Sequence, residues 1–556
     1  MKTKKKKKIM RRLMILGVLM MVAGKVAIAQ SIQGMGFEDS IPDGQDMGKS
    51  ALIYFKYIKY SDREPDTLKV SLWSHYFGQL ASTEGQVSKR IPLRKGSMLE
   101  GLFPSNDQVI TVNVSDLQGP SYISLSLSSN EPFNKYLIFP GDSIKIYAQP
   151  FRNILTFGGP TAPLFECQRA LNNLRLAYSF KKATRYTQRS QSSLEEFLEK
   201  DNNRRIYQQA QQNFGEVLSL PILDESYLEL LQSEVEQIPI DKTLLLLDSY
   251  QSQIPKEAYE IILANEIGLL YDRLVLDWTQ AYRQAKQVGN SGFVEKLEAF
   301  YAQEIETLRF EFEKETVLAA TYYQDFLINQ SKALSQLKNQ PLFVSLENYP
   351  NEVRDFLIGK YIIGNFSKLS NGSEILEKAL GSIEEPSIRP YLERLYHRQG
   401  AGQPIENFAF ENLKGEMVRL EDFKGKTVFL DFWFTGCKAC INFYEGSLHS
   451  VEEHFKDNKD FVMISISMDK DRKMWEKSVA GGRYTSSSVV NLYTNGEGFD
   501  HAFLKQYNIV GAPHQLLIDG DGRMVQSGGL QLRSEELIGV LEGVLGKEEG
   551  KRGISY

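Results

Sequence analysis

TVFLDFWFTGCKAC, residues 427–440, decides how the rest of this chain is read. Its first eight residues are β-branched, aromatic or leucine apart from one aspartate, Asp431. That composition suits a strand buried on both faces. The apolar run stops at Thr435-Gly436, and a helical pattern then runs from the cysteines through LHSVEEHF. Two of the three cysteines in 556 residues therefore stand three positions apart at a strand-to-helix turn.

Working outward, strands and helices alternate after the cysteines. FVMISISMD, VVNLYT, HQLLID and RMVQS read as strands. KDRKMWEKSV, DHAFLKQY and the final SEELIGVLEGVL read as helices, with GDG as a turn. Alternation of this kind predicts an α/β layer fold around a central sheet. Residues 399–404, QGAGQP, read as the linker before it. Upstream the period changes. From about 164 to 396 the pattern is that of long amphipathic helices, including EAYEIILANEIGLLYDRLVLDWTQAYRQA and GFVEKLEAFYAQEIETLRFEFEKE. Tyr271, Trp278 and Tyr282 recur at helical spacing and are expected in a core. From about 50 to 159 the period is two, in ALIYFKYIKY, VITVNVS, YISLSLSS and SIKIYAQ. Short strands separated by turn residues predict a small antiparallel sandwich or barrel. The expected organisation is a leader over 1–29, a β-sandwich-like domain over 30–160, an α-helical domain over 161–400, an α/β domain over 401–548 and a tail over 549–556. The first two folded parts carry no motif, and roles in spacing, dimerisation or partner docking are open to them. No oligomeric state is read from the sequence.

The leader MKTKKKKKIMRRLMILGVLMMVAGKVAIAQ has a basic start, a short apolar run and the small-x-small site Ala27-Ile28-Ala29. This is the pattern of a cleavable secretory signal, which places the expected protein in the periplasm or cell envelope. An uncleaved anchor is the competing reading, but the run falls short of the roughly 20 residues of a bilayer span, and Lys25 interrupts it. No cysteine stands near the site to carry a lipid. The chain has 65 Lys and Arg against 70 Asp and Glu. Nine of the basic residues lie in the leader, so the remainder is acidic, and neither nucleic acid nor an anionic membrane surface is expected as a partner. Three cysteines cannot staple an exported chain of this length.

A cysteine at a helix N-terminus meets unpaired N–H groups and the positive end of the helix dipole, which stabilise a thiolate. The thiolate is the nucleophile of thiol–disulfide exchange. Cys440, one helical turn later, is placed to attack a mixed disulfide formed on Cys437 and release the substrate. Three other uses compete. A zinc site needs four ligands, and neither Cys167 nor the six histidines form a matching pair. Haem attachment needs His after the second cysteine, and position 441 is Ile. A structural disulfide across so short a loop removes little unfolded-state entropy. Cys167, in PLFECQRALNNL, reads as a buried inert thiol or, alternatively, as a regulatory or intermolecular partner.

LDFWFTGCKAC resembles the active-site segment of the thioredoxin superfamily. With NFAFENLKGEMVRLEDFKGKTVFLDFW before the cysteines and YNIVGAPHQLLIDGDGRMV after them, residues 404–545 resemble its exported TlpA-like branch, which includes cytochrome c maturation reductases. The upstream arrangement is similar to exported thioredoxin-like proteins of Bacteroidetes type. The resemblance implies a thioredoxin-like fold and a protein thiol–disulfide oxidoreductase that needs no small cofactor and no metal. It implies Cys437 as attacking thiol, Cys440 as resolving thiol and Asp431 as the buried acid that relays a proton. It further implies Pro513 as the cis-proline facing the disulfide, with Ala512 and His514 lining the substrate groove and Trp433 packed beside the site. Protein disulfides are the implied substrates and a membrane electron donor the implied source of reduction. The chain departs from the family at several positions. Lys438-Ala439 replaces Gly-Pro, so Lys438 either adds charge near the thiolate or is a solvated helix-start lysine. Gly436 stands where thioredoxin has Trp. Phe443 replaces a Glu, leaving Glu445 as a substitute second relay acid, and His514 replaces a Thr. The peroxiredoxin signature Pro-x3-Thr-x2-Cys is absent: Leu430 and Phe434 precede Cys437 at those positions, and Trp433 and Cys437 precede Cys440. Two further readings share the site, a disulfide oxidase or isomerase and a client-binding scaffold with a non-catalytic pair.

Overall fold

The computed structural model describes residues 36–38, 49–59, 66–78, 85–102, 106–127, 130–149, 154–181, 184–187, 198–199, 201–214, 217–220 and 225–553. The expected leader lies outside the described residues. The chain forms two compact units, one of residues 1–75 and 87–357, the other of 76–86 and 358–556.

The first unit is strand-rich and then helical. One sheet runs in the order Gly36–Glu38, Asp107–Ser115, Ala51–Ile58, Ser143–Gln149, Ile154–Gly158; the other is Gln86–Pro92, Thr67–Trp73, Ser121–Leu127, Asn130–Ile138. The expectation of a wholly antiparallel domain needs one correction: Leu52 to Tyr57 pair in parallel with Ser143 to Ala148. In Ala51–Ile58 alternate side chains are buried, as its period of two requires. Ser121–Leu127 is buried on both faces. The reason is visible at Tyr122, whose hydroxyl donates to Ala319 O (2.7 Å) and accepts from Asn265 Nδ2 (2.8 Å), so that helical residues cover this strand. The longest helix among the described residues, Lys256–Gln287, buries Trp278 and Tyr282, stacked with ring centroids 4.9 Å apart. Two helical expectations fail. GFVEKLEAFYAQEIETLRFEFEKE is helical only through Ile305, and a new helix begins at Lys314. Thr184–Thr187 and Val217–Leu220 form a parallel strand pair inside the region expected to be all helix.

The second unit contains Gly372–Ser382 and Arg389–Gln399, two helices that precede a seven-stranded sheet. Its strands are β1 (Ala409–Asn412), β2 (Met417–Arg419), β3 (Thr427–Trp433), β4 (Phe461–Ser467), β5 (Val490–Tyr493), β6 (His514–Ile518) and β7 (Met524–Ser527). They lie in the order β2-β1-β5-β4-β3-β6-β7. β3 is central, parallel to β4 and antiparallel to β6. Every residue of β3 is buried. Val428, Leu430 and Phe432 pack on one face with Phe503, Leu504 and Tyr507. Phe429 packs on the other with Tyr444, Leu448, Leu537 and Leu541. Each such Leu or Phe contributes about 1.5–3 kcal/mol of burial, so the centre of the sheet is held from both sides and its C-terminal edge is fixed in place. The chain leaves that edge at Phe434 and enters the helix α1 (Lys438–Phe443), continued by a π turn at Tyr444–Leu448 and by α2 (His449–Phe455). No described helix is long and apolar enough to cross a membrane.

Candidate active site

The end of β3 is built as a rigid turn. Asp469, just past β4, is buried; one carboxylate oxygen accepts from the Thr435 N–H (2.8 Å) and the other from the Thr435 hydroxyl (2.6 Å). Thr435 Oγ1 lies 2.7 Å from Ser478 Oγ, and since its own proton goes to Asp469, Ser478 donates. Gly436 follows with φ of +95°, a left-handed conformation that favours glycine, and its N–H donates to the Tyr484 hydroxyl (2.8 Å). The Tyr484 ring stacks on Trp433 at 4.6 Å. Trp433 is fully buried, donates to Ser465 Oγ (2.6 Å) and belongs to the apolar cluster that holds both cysteines.

Cys437 is the N-cap of α1, and its sulfur accepts the Cys440 N–H at 3.1 Å. The two cysteines form a disulfide and are nearly buried. The N–H that caps the helix therefore points at the sulfur that would carry charge as a thiolate. Lys438 is exposed and forms no ion pair among the described residues. Across the turn, the Ala512–Pro513 peptide is cis. Ala512 O is 3.8 Å from Cys437 Sγ, and Gln531 Nε2 donates to Pro513 O (2.7 Å). His514 opens β6, pairs in register with Phe432 and is buried; burial pushes its imidazole down to about 4, so it is neutral.

Asp431 shares a face of β3 with Phe429 and Trp433, because alternate residues of a strand point the same way. It is buried, and Gln515 Nε2 donates to its Oδ1 (2.7 Å). Desolvation raises its pKa from 3.8 to about 7, against a smaller lowering from Gln515. Glu445 is exposed in the π turn, pairs with Arg483 (3.7 Å) and hydrogen-bonds to neither Asp431 nor the cysteines. The structure thus brings Cys437, Cys440, Trp433, Ala512 and Pro513 together, sets Asp431 on the same face of the sheet, and leaves Lys438 and Glu445 at the surface.

Comparison with known proteins fits this geometry. A family model described as thioredoxin-like matches residues 425–524. The thiol-disulfide oxidoreductase ResA of Bacillus thuringiensis strain Al Hakam is 33% identical over 152 residues, which are 26% of this chain and 77% of that one. The chain belongs to the thioredoxin-like thiol–disulfide oxidoreductases. A second ResA, from Bacillus thuringiensis subsp. konkukian, is 31% identical over 22% of this chain and 67% of its own. The thioredoxin domain of a thiol-disulfide oxidoreductase from Bacteroides vulgatus, a crystal structure, is 31% identical and covers 26% of this chain and 96% of that one, with a TM-score of 0.23.

The sequence reading missed several residues of this oxidoreductase site. Gln515 had a signal, being the one amide in HQLLID and directly opposite Asp431 in register. Thr435, Asp469, Ser478 and Tyr484 had none, since their contacts span 34 to 48 residues of chain. Among the described residues no group of His, Cys, Asp and Glu could hold a metal ion.

Proposed function

We propose that this enzyme is exported and reduces protein disulfides through the Cys437–Cys440 pair. The observation that carries the reading is the seating of Cys437: its sulfur receives the capping N–H of Cys440 and lies 3.8 Å from Ala512 O beside Pro513. In the reduced enzyme the Cys437 thiolate attacks a substrate disulfide. A mixed disulfide forms and one substrate sulfur leaves as a thiol. Cys440 loses its proton to ionised Asp431 and attacks Cys437 Sγ. The enzyme disulfide forms, and the second substrate sulfur leaves and takes up a proton. The substrate gains two electrons and two protons, and the pair loses them. A dithiol donor at the membrane returns them. Backbone beside Pro513, together with Ala512 and His514, guides an extended client. We read the leader over 1–29 as the export signal, the two N-terminal sheets as a sandwich, and the helices up to residue 400 as a support for partner docking or dimerisation.

The test uses the mature chain with Cys167→Ser. The pair is titrated against a thiol buffer and free thiols are counted. A reversible two-electron couple close to −270 mV, the thioredoxin end of a range reaching about −120 mV for a strong oxidant, supports a reductase. Cys440→Ser should accumulate the mixed disulfide with a client peptide. A pair that never cycles, or a Cys440→Ser variant that turns over normally, removes the catalytic reading. A couple at the oxidant end replaces reduction with disulfide formation.

A further inference from the structure

A cavity of about 360 Å3 opens beside Pro513. Ala512, Pro513 and His514 line one side. The other side is lined by Ser367 and Lys368, more than thirty residues ahead of β1 and outside the stretch that matches the family. This second wall is fixed to the sheet. The Gly529 N–H donates to Ser367 O (2.8 Å). A Cβ on Gly528 would stand 2.4 Å from Ser367 Cα, and one on Gly529 2.5 Å from Leu369 O. Both glycines also have positive φ. Only a glycine pair after β7 lets this segment approach so closely.

Two groups at the cavity lack partners. His514 Nε2 is buried with no hydrogen bond. A buried polar nitrogen carries a desolvation cost until something pairs with it. Lys368 is exposed and has no ion pair or hydrogen bond among the described residues. No acidic side chain lines the cavity, so it carries one uncompensated positive charge on an otherwise acidic protein. Because Ala512 borders both the cavity and the Cys437 sulfur, a chain joined to Cys437 passes its mouth.

We propose that the cavity receives an acidic side chain from the client segment next to its reacting cysteine, with Lys368 supplying the opposite charge and His514 Nε2–H a hydrogen bond. Residue 368, ahead of the thioredoxin-like fold, then sets which clients this enzyme prefers. This rests on the disulfide-exchange reading above.

The experiment uses the full mature chain with Cys167→Ser and Cys440→Ser, so that the mixed disulfide is trapped. The probes are disulfide-linked peptides of equal length whose residues flanking the cysteine are Glu, Gln or Lys. Each rate is normalised to that of free glutathione with the same peptide, which removes the peptide's own reactivity. The Glu peptide should react about fivefold faster than the Gln peptide, the upper range for an exposed ion pair, and the advantage should shrink with added salt. Lys368→Glu should reverse the order and favour the Lys peptide. The same order in both proteins, or no preference in either, overturns the proposal. If no peptide reacts with the wild-type residue at 368, the exchange reading itself fails and takes this one with it.

Discussion

Replacing Asp431 by Asn separates the two consequences of burying that acid. The folded carboxyl holds its proton up to about pH 7, whereas the reference carboxyl releases it near 3.8. Between these values the folded state binds more protons than the unfolded one, so stability falls as pH rises through the window and the loss is complete above the folded pKa. At about 1.4 kcal/mol per unit, wild-type protein gives up on the order of 4 kcal/mol by pH 8. Asn keeps an oxygen to accept from Gln515 and has no proton to lose. Oxidised Asp431→Asn should therefore match the wild type near pH 4 and exceed it at pH 8 by up to that amount, less the cost of placing an amide nitrogen where an oxygen stood. Urea titrations at pH 4, 6 and 8 read this directly. In catalysis the same change should be harmful. In the proposed mechanism Asp431 accepts the Cys440 proton only when ionised, so the wild-type resolving step should rise with pH through about 7 and then level. The Asn variant should lose that inflexion and run at least about 100-fold slower, the low end for general base catalysis. Stopped-flow decay of a preformed mixed disulfide measures it. Equal urea midpoints at pH 8 would refute the buried-acid argument. An unchanged rate profile with the expected stability gain would leave the burial intact and remove the relay.

Thr435→Val should lower stability by about 2–3 kcal/mol, because it strips a buried carboxylate of one charge-assisted hydrogen bond and leaves Ser478 without its acceptor. Urea denaturation of Thr435→Val beside Thr435→Ser checks this, and the serine variant should recover most of the loss. Cys167 is fully buried, and burial raises its thiol to about 12. Reduced native protein should therefore show two thiols that react quickly with an aromatic disulfide reagent and a third that reacts only after denaturation. Three fast thiols would mean that Cys167 is accessible.

The site was legible where chemistry follows local pattern. A continuous apolar run that stops at Thr-Gly just before a helical stretch places the two cysteines, and a lone acid in that run falls on the buried strand. The break at Ile305 was also written locally but was masked by the helix before it. Leu308, Phe310 and Phe312 alternate with charged residues, a period of two, and the structure uses them in that way: Phe310 packs on Tyr271 (5.6 Å) and Phe312 on Tyr323 (5.1 Å). The parallel pairing of Ala51–Ile58 with Ser143–Gln149 left no such mark, because alternation fixes which face of a strand is buried and says nothing about which neighbour it takes or in which direction.

Lys368 shows why a domain boundary drawn from sequence hides part of a site. The linker read at 399–404 is a change of composition, and by that criterion everything before it belongs to the helices. The packing follows a different logic. Gly528-Gly529 after β7 removes two side chains at the point where the 367–370 segment must pass. On the near side of the same strands, Ser527 Oγ donates to Gln399 Oε1 (3.0 Å). The two contacts hold Arg389–Gln399 and the 367–370 segment against β7, the edge strand beside the one that Pro513 precedes. In a strand-and-turn sequence a glycine pair reads as a turn, and here it is also a seat for another part of the chain. The family match over residues 425–524 holds the cysteine pair but neither the seat nor the lysine it positions, and that is where differences in client choice should be sought.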